Sequence, residues 1–129
     1  MQPAPDNAQL GQQVLKLGTH RNNRRIWLDN SPMLTAAGFF PGLKYRADFV
    51  GGGWAKYPAN DDEGITPLNG AIFLTVDPEG KTKVSKKTKG GKLLPVIDIN
   101  SKKVGLTFPA AENISVTYYS GQIIIGAAQ

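Results

Sequence analysis

The chain has 129 residues, 40% of them hydrophobic and 19% charged, which suits one compact domain or two packed half-domains that bury roughly two-thirds of the unfolded surface. Its 15 glycines and 9 prolines predict short strands joined by many turns, and the absence of cysteine excludes disulfides and thiolate metal sites. A formal net charge of +5 favours a polyanionic partner.

Residues 1–12 read as a disordered tail. Met1 to Asn7 has neither the basic start nor the apolar run of a signal peptide, and no later stretch reaches membrane-spanning length, so a cytoplasmic protein without membrane contact is expected. Gln13-Val14-Leu15-Lys16-Leu17 alternates as a short strand closed by Gly18, and Thr19 to Arg24 reads as a polar, basic loop. After a strand over Arg25 to Asp29, Ser31-Pro32 signals a helix start, with the serine oxygen capping open amides and proline lacking the N–H that the first turn does not use. Gly38 closes that helix after about two turns. Pro41-Gly42 turns the chain into a strand where Leu43, Tyr45, Ala47 and Phe49 alternate with Lys44, Arg46 and Asp48.

Gly51-Gly52-Gly53 predicts a tight hairpin into Trp54 to Tyr57; without a G-x-x-x-x-G-K-[ST] pattern the glycines read as turn chemistry, not a phosphate cradle. Pro58 to Gly70 is an acidic connector. A further hairpin is expected from Ala71 to Val76 and Thr82 to Val84 around Asp77-Pro78-Glu79-Gly80. Leu93 to Ile99 reads as a well-buried strand with Pro95 near its start. Asn100-Ser101 caps a helix over Lys102 to Phe108; Val104, Leu106 and Phe108 also fit a strand and Gly105 weakens both readings, and the helix is preferred by analogy with the first half. Ile114 to Tyr119 and Gln122 to Ile125 form the clearest hairpin.

The order of elements repeats. Ile26 to Leu43 and Ile97 to Ile114 are equally spaced, so a first β repeat over 13–57 and a second over 93–129 flank a connector hairpin and lysine-rich bridge over 58–92. The expected fold is mostly β with one or two short helices (α+β), two repeats forming a single-chain pseudo-dimer from antiparallel hairpins. Arg25 to Leu28, Leu34 to Gly42 with the strand after it, and Ile114 to Ile125 resemble the AbrB, MazE and SymE type of swapped-hairpin β domain. Lys83-Val84-Ser85-Lys86-Lys87 ahead of Pro95-Val96-Ile97-Asp98-Ile99-Asn100 is similar to paired repeats in phage and mobile-element proteins. The resemblance implies one DNA-facing side. Pro109 to Asn113 departs from the Pro41-Gly42 pattern of the first repeat.

No catalytic, metal or cofactor site is expected. His20 is the single histidine and has no serine elbow beside it. Asp29 and Asp98 read as capping or arginine-pairing groups, and Asp61-Asp62-Glu63 as solvated acids. Trp27, Phe39, Phe40, Tyr45, Phe49, Tyr118 and Tyr119 read mainly as core, with base stacking as the alternative and Trp54 beside Lys56 a further candidate.

Charge gives the positive signal: Lys81, Lys83, Lys86, Lys87, Lys89 and Lys92 fall together without an acid, behind a second group at His20, Arg21, Arg24 and Arg25. A non-enzymatic nucleic-acid-binding role follows, with double-stranded DNA favoured over single-stranded. Arg21, Arg24, Arg25, Lys44 and Arg46 are the first-repeat phosphate contacts; Lys83, Lys86, Lys87 and Lys89 form a mobile clamp; Asn22, Asn23 and Arg24 are the candidates for base reading. The alternatives are a protein-binding inhibitor of a host defence or nucleic-acid enzyme and a single-strand binder. A monomeric pseudo-dimer and a homodimer both fit.

Overall fold

The computed structural model describes residues 8–56 and 65–128. Along the chain run β1 (Gln9–Lys16), β2 (Gly18–His20), β3 (Asn23–Leu28), α1 (Ser31–Ala36), β4 (Lys44–Val50), β5 (Gly53–Lys56), β6 (Ile65–Leu68), β7 (Ala71–Val76), β8 (Thr82–Lys83), β9 (Ser85–Lys89), β10 (Lys92–Asn100), α2 (Lys102–Thr107), β11 (Asn113–Tyr119) and β12 (Gln122–Ala127). The fold is mostly β, with antiparallel ladders and two short helices among the described residues. A six-stranded sheet has the order β1-β11-β12-β7-β4-β8, a four-stranded sheet the order β2-β3-β10-β9, and β5 and β6 pair separately.

Two chain segments pass from the larger sheet to the smaller. β1 leads to β2 through Leu17, and β8 leads to β9 through Val84; both linking residues are buried. Leu17 donates its amide to the Glu112 carbonyl and Val84 donates to that of Leu43. The core lies between the sheets. Alternation in β3 and β10 sends Ile26, Leu28 and Ile97 inward, to meet Ile72, Leu74, Ile114, Val116, Tyr118, Ile123 and Ile125 of the larger sheet. Leu34 of α1 and Val104 of α2 close its ends, with Phe39 and Phe108 just beyond the helices.

Several local expectations change. The first strand starts at Gln9, so residues 9–12 belong to β1 and not to a tail. Glutamine carries little strand preference; pairing to β11 orders it, with Gln12 donating to Ser115 and Gln13 accepting from the Tyr118 hydroxyl. The basic loop at 19–24 is instead a hairpin, because Arg21 and Asn22 both take left-handed backbone, φ 50° and 71°, as a type I′ turn requires. The helix cap is Asn30, whose side-chain oxygen accepts from the Met33 amide, leaving Ser31 as the first helical residue.

The glycine run does not fold β4 back onto β5. Its positive φ angles turn the chain away, β5 pairs with β6, and β4 pairs with β7. Nor do β7 and β8 form a hairpin, since they lie on opposite edges of β4. The lysine bridge is not a mobile loop, because β9 is laddered to β10 from Ser85 to Lys89. Ser101 caps α2 as expected, accepting from the Lys103 amide. Tyr57 to Gly64, including Asp61-Asp62-Glu63, and the side chains of Trp54 and Lys56 lie outside the described residues.

Candidate nucleic-acid interface

The lysine-rich segment follows one strand edge from the larger sheet to the smaller, so its spacing is fixed by the ladders on its inner side. Lys83 of β8 lies directly opposite Lys44 of β4. Lys89 lies directly opposite Lys92 across Gly90-Gly91, whose φ values of 58° and 78° make the two-residue turn. Directly opposed residues share a face with their Cβ atoms roughly 5 Å apart, and like charges placed so destabilise the ladder. None of these four lysines has a carboxylate partner among the described residues.

Between the two pairs, Lys83 and Lys86 rim a hollow whose floor includes Pro41, Val84 and Leu93. Leu93 is 58% exposed there, and Phe40, next to Pro41 in sequence, is 50% exposed. From Lys83 to Lys89 the edge runs roughly 20 Å at the usual rise per residue, about six base-pair steps of duplex.

The other predicted contacts divide differently. Arg25 makes a bidentate pair with Asp98, at 2.9 and 3.0 Å, and its guanidinium carbon lies 4.6 Å from the centroid of the Trp27 ring. The Arg25 hydrogen bond holds the Asp98 carboxyl below its ordinary pKa, against a smaller opposing effect of burial. Arg46 binds Asp48 at 2.9 Å and Asp77 at 3.3 Å. Lys87 binds Asp29 at 3.1 Å, a hydrogen bond that lowers the Asp29 pKa. Arg24 donates to the carbonyls of Leu17 and Gly18, so its role here is to hold the turn between β1 and β2.

Arg21, Asn22 and Asn23 sit at the β2–β3 end of the smaller sheet, where Asn22, Asn23 and Arg24 border the start of α2. β3 and β10 are antiparallel, with Arg25 opposite Asn100, so this end lies about 25 Å from Lys92 along the strand direction. The two basic groups of the sequence are therefore not brought together. Sequence reading also passed over Lys92 as a site residue. The run Lys89-Gly90-Gly91-Lys92 carried that signal, since a two-residue glycine turn places its flanking residues face to face.

Phe39, Tyr45 and Tyr118 are buried, Tyr119 faces away from Tyr118, and burial pushes the Tyr45 and Tyr118 hydroxyls up to about 12. Trp27 is 42% exposed beneath Arg25. Among the described residues no group of three or more histidine, aspartate or glutamate side chains is placed to hold a metal ion, and no helix is long and apolar enough to cross a membrane. Compared with protein-family models, curated proteins and solved structures, the chain matches none.

Proposed function

We propose that the chain is a non-enzymatic nucleic-acid-binding protein that grips the phosphate backbone through the ridge Lys44, Lys83, Lys89 and Lys92, while Lys86 points to the other face of β9. The observation that carries this reading is the pair of facing lysines at each end of the ridge, Lys44 with Lys83 and Lys89 with Lys92. One lysine on an exposed edge suffices to discourage strand pairing with another molecule. Opposed lysines work against the fold, and a line of phosphates turns that repulsion into attraction. Lysine–phosphate contacts carry no base information; of the candidate readers, Arg24 is held by backbone carbonyls and Asn22 and Asn23 sit at the far end of the smaller sheet, so the binding is sequence-tolerant. Duplex DNA is favoured because the ladders fix the spacing of the lysines, while the buried Tyr45 and Tyr118 offer no stacking surface.

The reading includes a chain built from two related β units, as the swapped-hairpin resemblance implies. Register supports it. In the smaller sheet, Leu28 faces Ile97 and Ile26 faces Ile99 about a central Trp27–Asp98 pair; in the larger, Leu74 faces Ile123 and Ile72 faces Ile125 about Phe73–Ile124. Each centre is where a two-fold axis relating the units would pass. Both sheet orders then read symmetrically, with β1 and β2 matched to β8 and β9.

The test is fluorescence anisotropy of labelled double- and single-stranded DNA at several salt concentrations, with a variant carrying Ala at Lys44, Lys83, Lys89 and Lys92. Four phosphate contacts predict a log–log salt slope of about −4, largely abolished in the variant. Absence of binding at low salt, or an unchanged slope in the variant, refutes the assignment.

A further inference from the structure

The two outer edges of the larger sheet are covered unequally. β11 is paired along its length by β1, from Gln9 opposite Tyr119 to Lys16 opposite Asn113. β4 is paired on its outer side only at Lys44 and Tyr45, by the two residues of β8. From Arg46 to Val50 no strand lies against that edge among the described residues. The Lys44 carbonyl accepts from Asp77 on the β7 side, and backbone polar groups alternate sides along a strand, so the N–H and C=O groups of Ala47 and Phe49 face outward.

Concavities flank this stretch on both sides. One, about 510 Å³, lies between β4 and the start of α2, with Tyr45, Ala47, Phe49 and Ile99 along its wall. Others open beside Gly80 and beside Phe73, and Ala47, Phe49 and Lys103 border all three. Natural sheets blunt exposed edges with proline, bulges or charged side chains. β4 has neither proline nor a register break, and along its open stretch Arg46 and Asp48 pair with each other.

Charge selects the occupant. Lys81, Lys102 and Lys103 rim the groove without carboxylate partners among the described residues, and Lys103 lies 5.6 Å from the Phe49 ring centroid. Of the acids nearby, Asp98 is paired to Arg25, while Asp48 and Asp77 share Arg46, leaving Glu79 and one further negative charge against three lysines. We propose that the open edge of β4 is a docking site for an extended acidic segment of a partner protein, which adds as an antiparallel strand beyond β8. Its backbone pairs with Ala47 and Phe49, alternate apolar side chains enter the groove, and its carboxylates meet the three lysines. β1 on β11 is the intramolecular version of the same arrangement.

The test uses a fluorescein-labelled peptide of alternating Glu and Val, about eight residues long to match the strand. The full-length protein is expected to bind it, and two lost backbone hydrogen bonds weaken binding about tenfold or more when alternate probe amides are N-methylated. Ala47→Pro, which removes an outward N–H with no ladder bond on the β7 side, and Lys102→Glu with Lys103→Glu produce comparable losses. Alanine at Lys89 and Lys92, at the far end of the ridge in the smaller sheet, leaves probe binding unchanged, which separates this site from the DNA reading. Absence of probe binding, equal binding of the N-methylated probe, or equal binding when Gln replaces Glu overturns the proposal. So does a homodimer that Ala47→Pro dissolves, which would assign the edge to a second copy.

Discussion

At the scale of single residues, the basic side chains separate into those bonded within the protein and those left to solvent. Arg25 and Arg46 act through neighbouring aspartates, and Arg24 through backbone carbonyls. Asp98 has its pKa lowered, first by the Arg25 hydrogen bond, so the pair stabilises the fold fully above the ordinary value of 3.8 and loses that contribution as pH falls from there through the lowered value. Asp98→Asn should therefore reduce the urea midpoint at pH 7, with the gap from the parent protein closing below about pH 3.8. A gap unchanged at acid pH would place the effect elsewhere. The tyrosines titrate at the other extreme. Raised by burial to about 12, Tyr45 and Tyr118 favour the folded state below pH 10 and cease to do so as pH rises through about 12. Tyrosinate absorbance of the folded protein should show the Tyr45 and Tyr118 contributions only well above pH 10; their appearance near pH 10 would contradict their burial. Arginine pairing of Asp98 was legible because the acid interrupts an apolar strand. The Lys87–Asp29 bond, across 58 residues of chain, was not, since it depends on which strands become neighbours.

At the scale of elements, local chemistry was readable where the turn or cap is self-contained. Ser101 capping α2, the Ser120-Gly121 turn between β11 and β12, and the alternation of β4 all follow from nearest neighbours. Readings failed where two candidate strands were joined by a good turn sequence yet took other partners. Gly51 to Gly53 bends the chain away because Gly52 lies against Thr107, where an added Cβ would come within 2.6 Å of the Thr107 Cα. Gly80 presses similarly on the Tyr45 carbonyl, and the turn crosses β4 instead of closing a hairpin. Gly105 differs: an added Cβ would meet only the Arg24 side chain, at an ordinary 3.5 Å. Gly105→Ala should raise stability by up to about 1 kcal/mol through helix propensity, measured by urea unfolding. Leu34→Ala, at the fully buried position of α1, should lower it by about 2–5 kcal/mol. A destabilising Gly105→Ala would show a tighter contact with Arg24 than the geometry implies.

At the scale of the molecule, the mostly β class followed from periodicity and turn content, and so did much of the core, but Trp27 and Phe40, read as core, lie exposed. The ridge did not, because its meaning depends on pairing. A lysine run read along the sequence describes charge density; the ladders of β8 on β4 and β9 on β10 turn it into opposed pairs at fixed spacing. That arrangement sets stability against binding. Lys44→Glu and Lys89→Glu each replace a repulsive cross-strand pair with an attractive one, worth roughly 0.2–1 kcal/mol apiece, while removing a cation from the ridge. The most direct test of the ridge is to measure the urea midpoint and duplex-DNA affinity of this double variant beside the parent protein. The account predicts a higher midpoint together with affinity reduced at least tenfold at low salt and a shallower salt slope. A variant that gains stability and binds DNA as tightly as the parent would contradict it, leaving the ridge as an edge defended by charge.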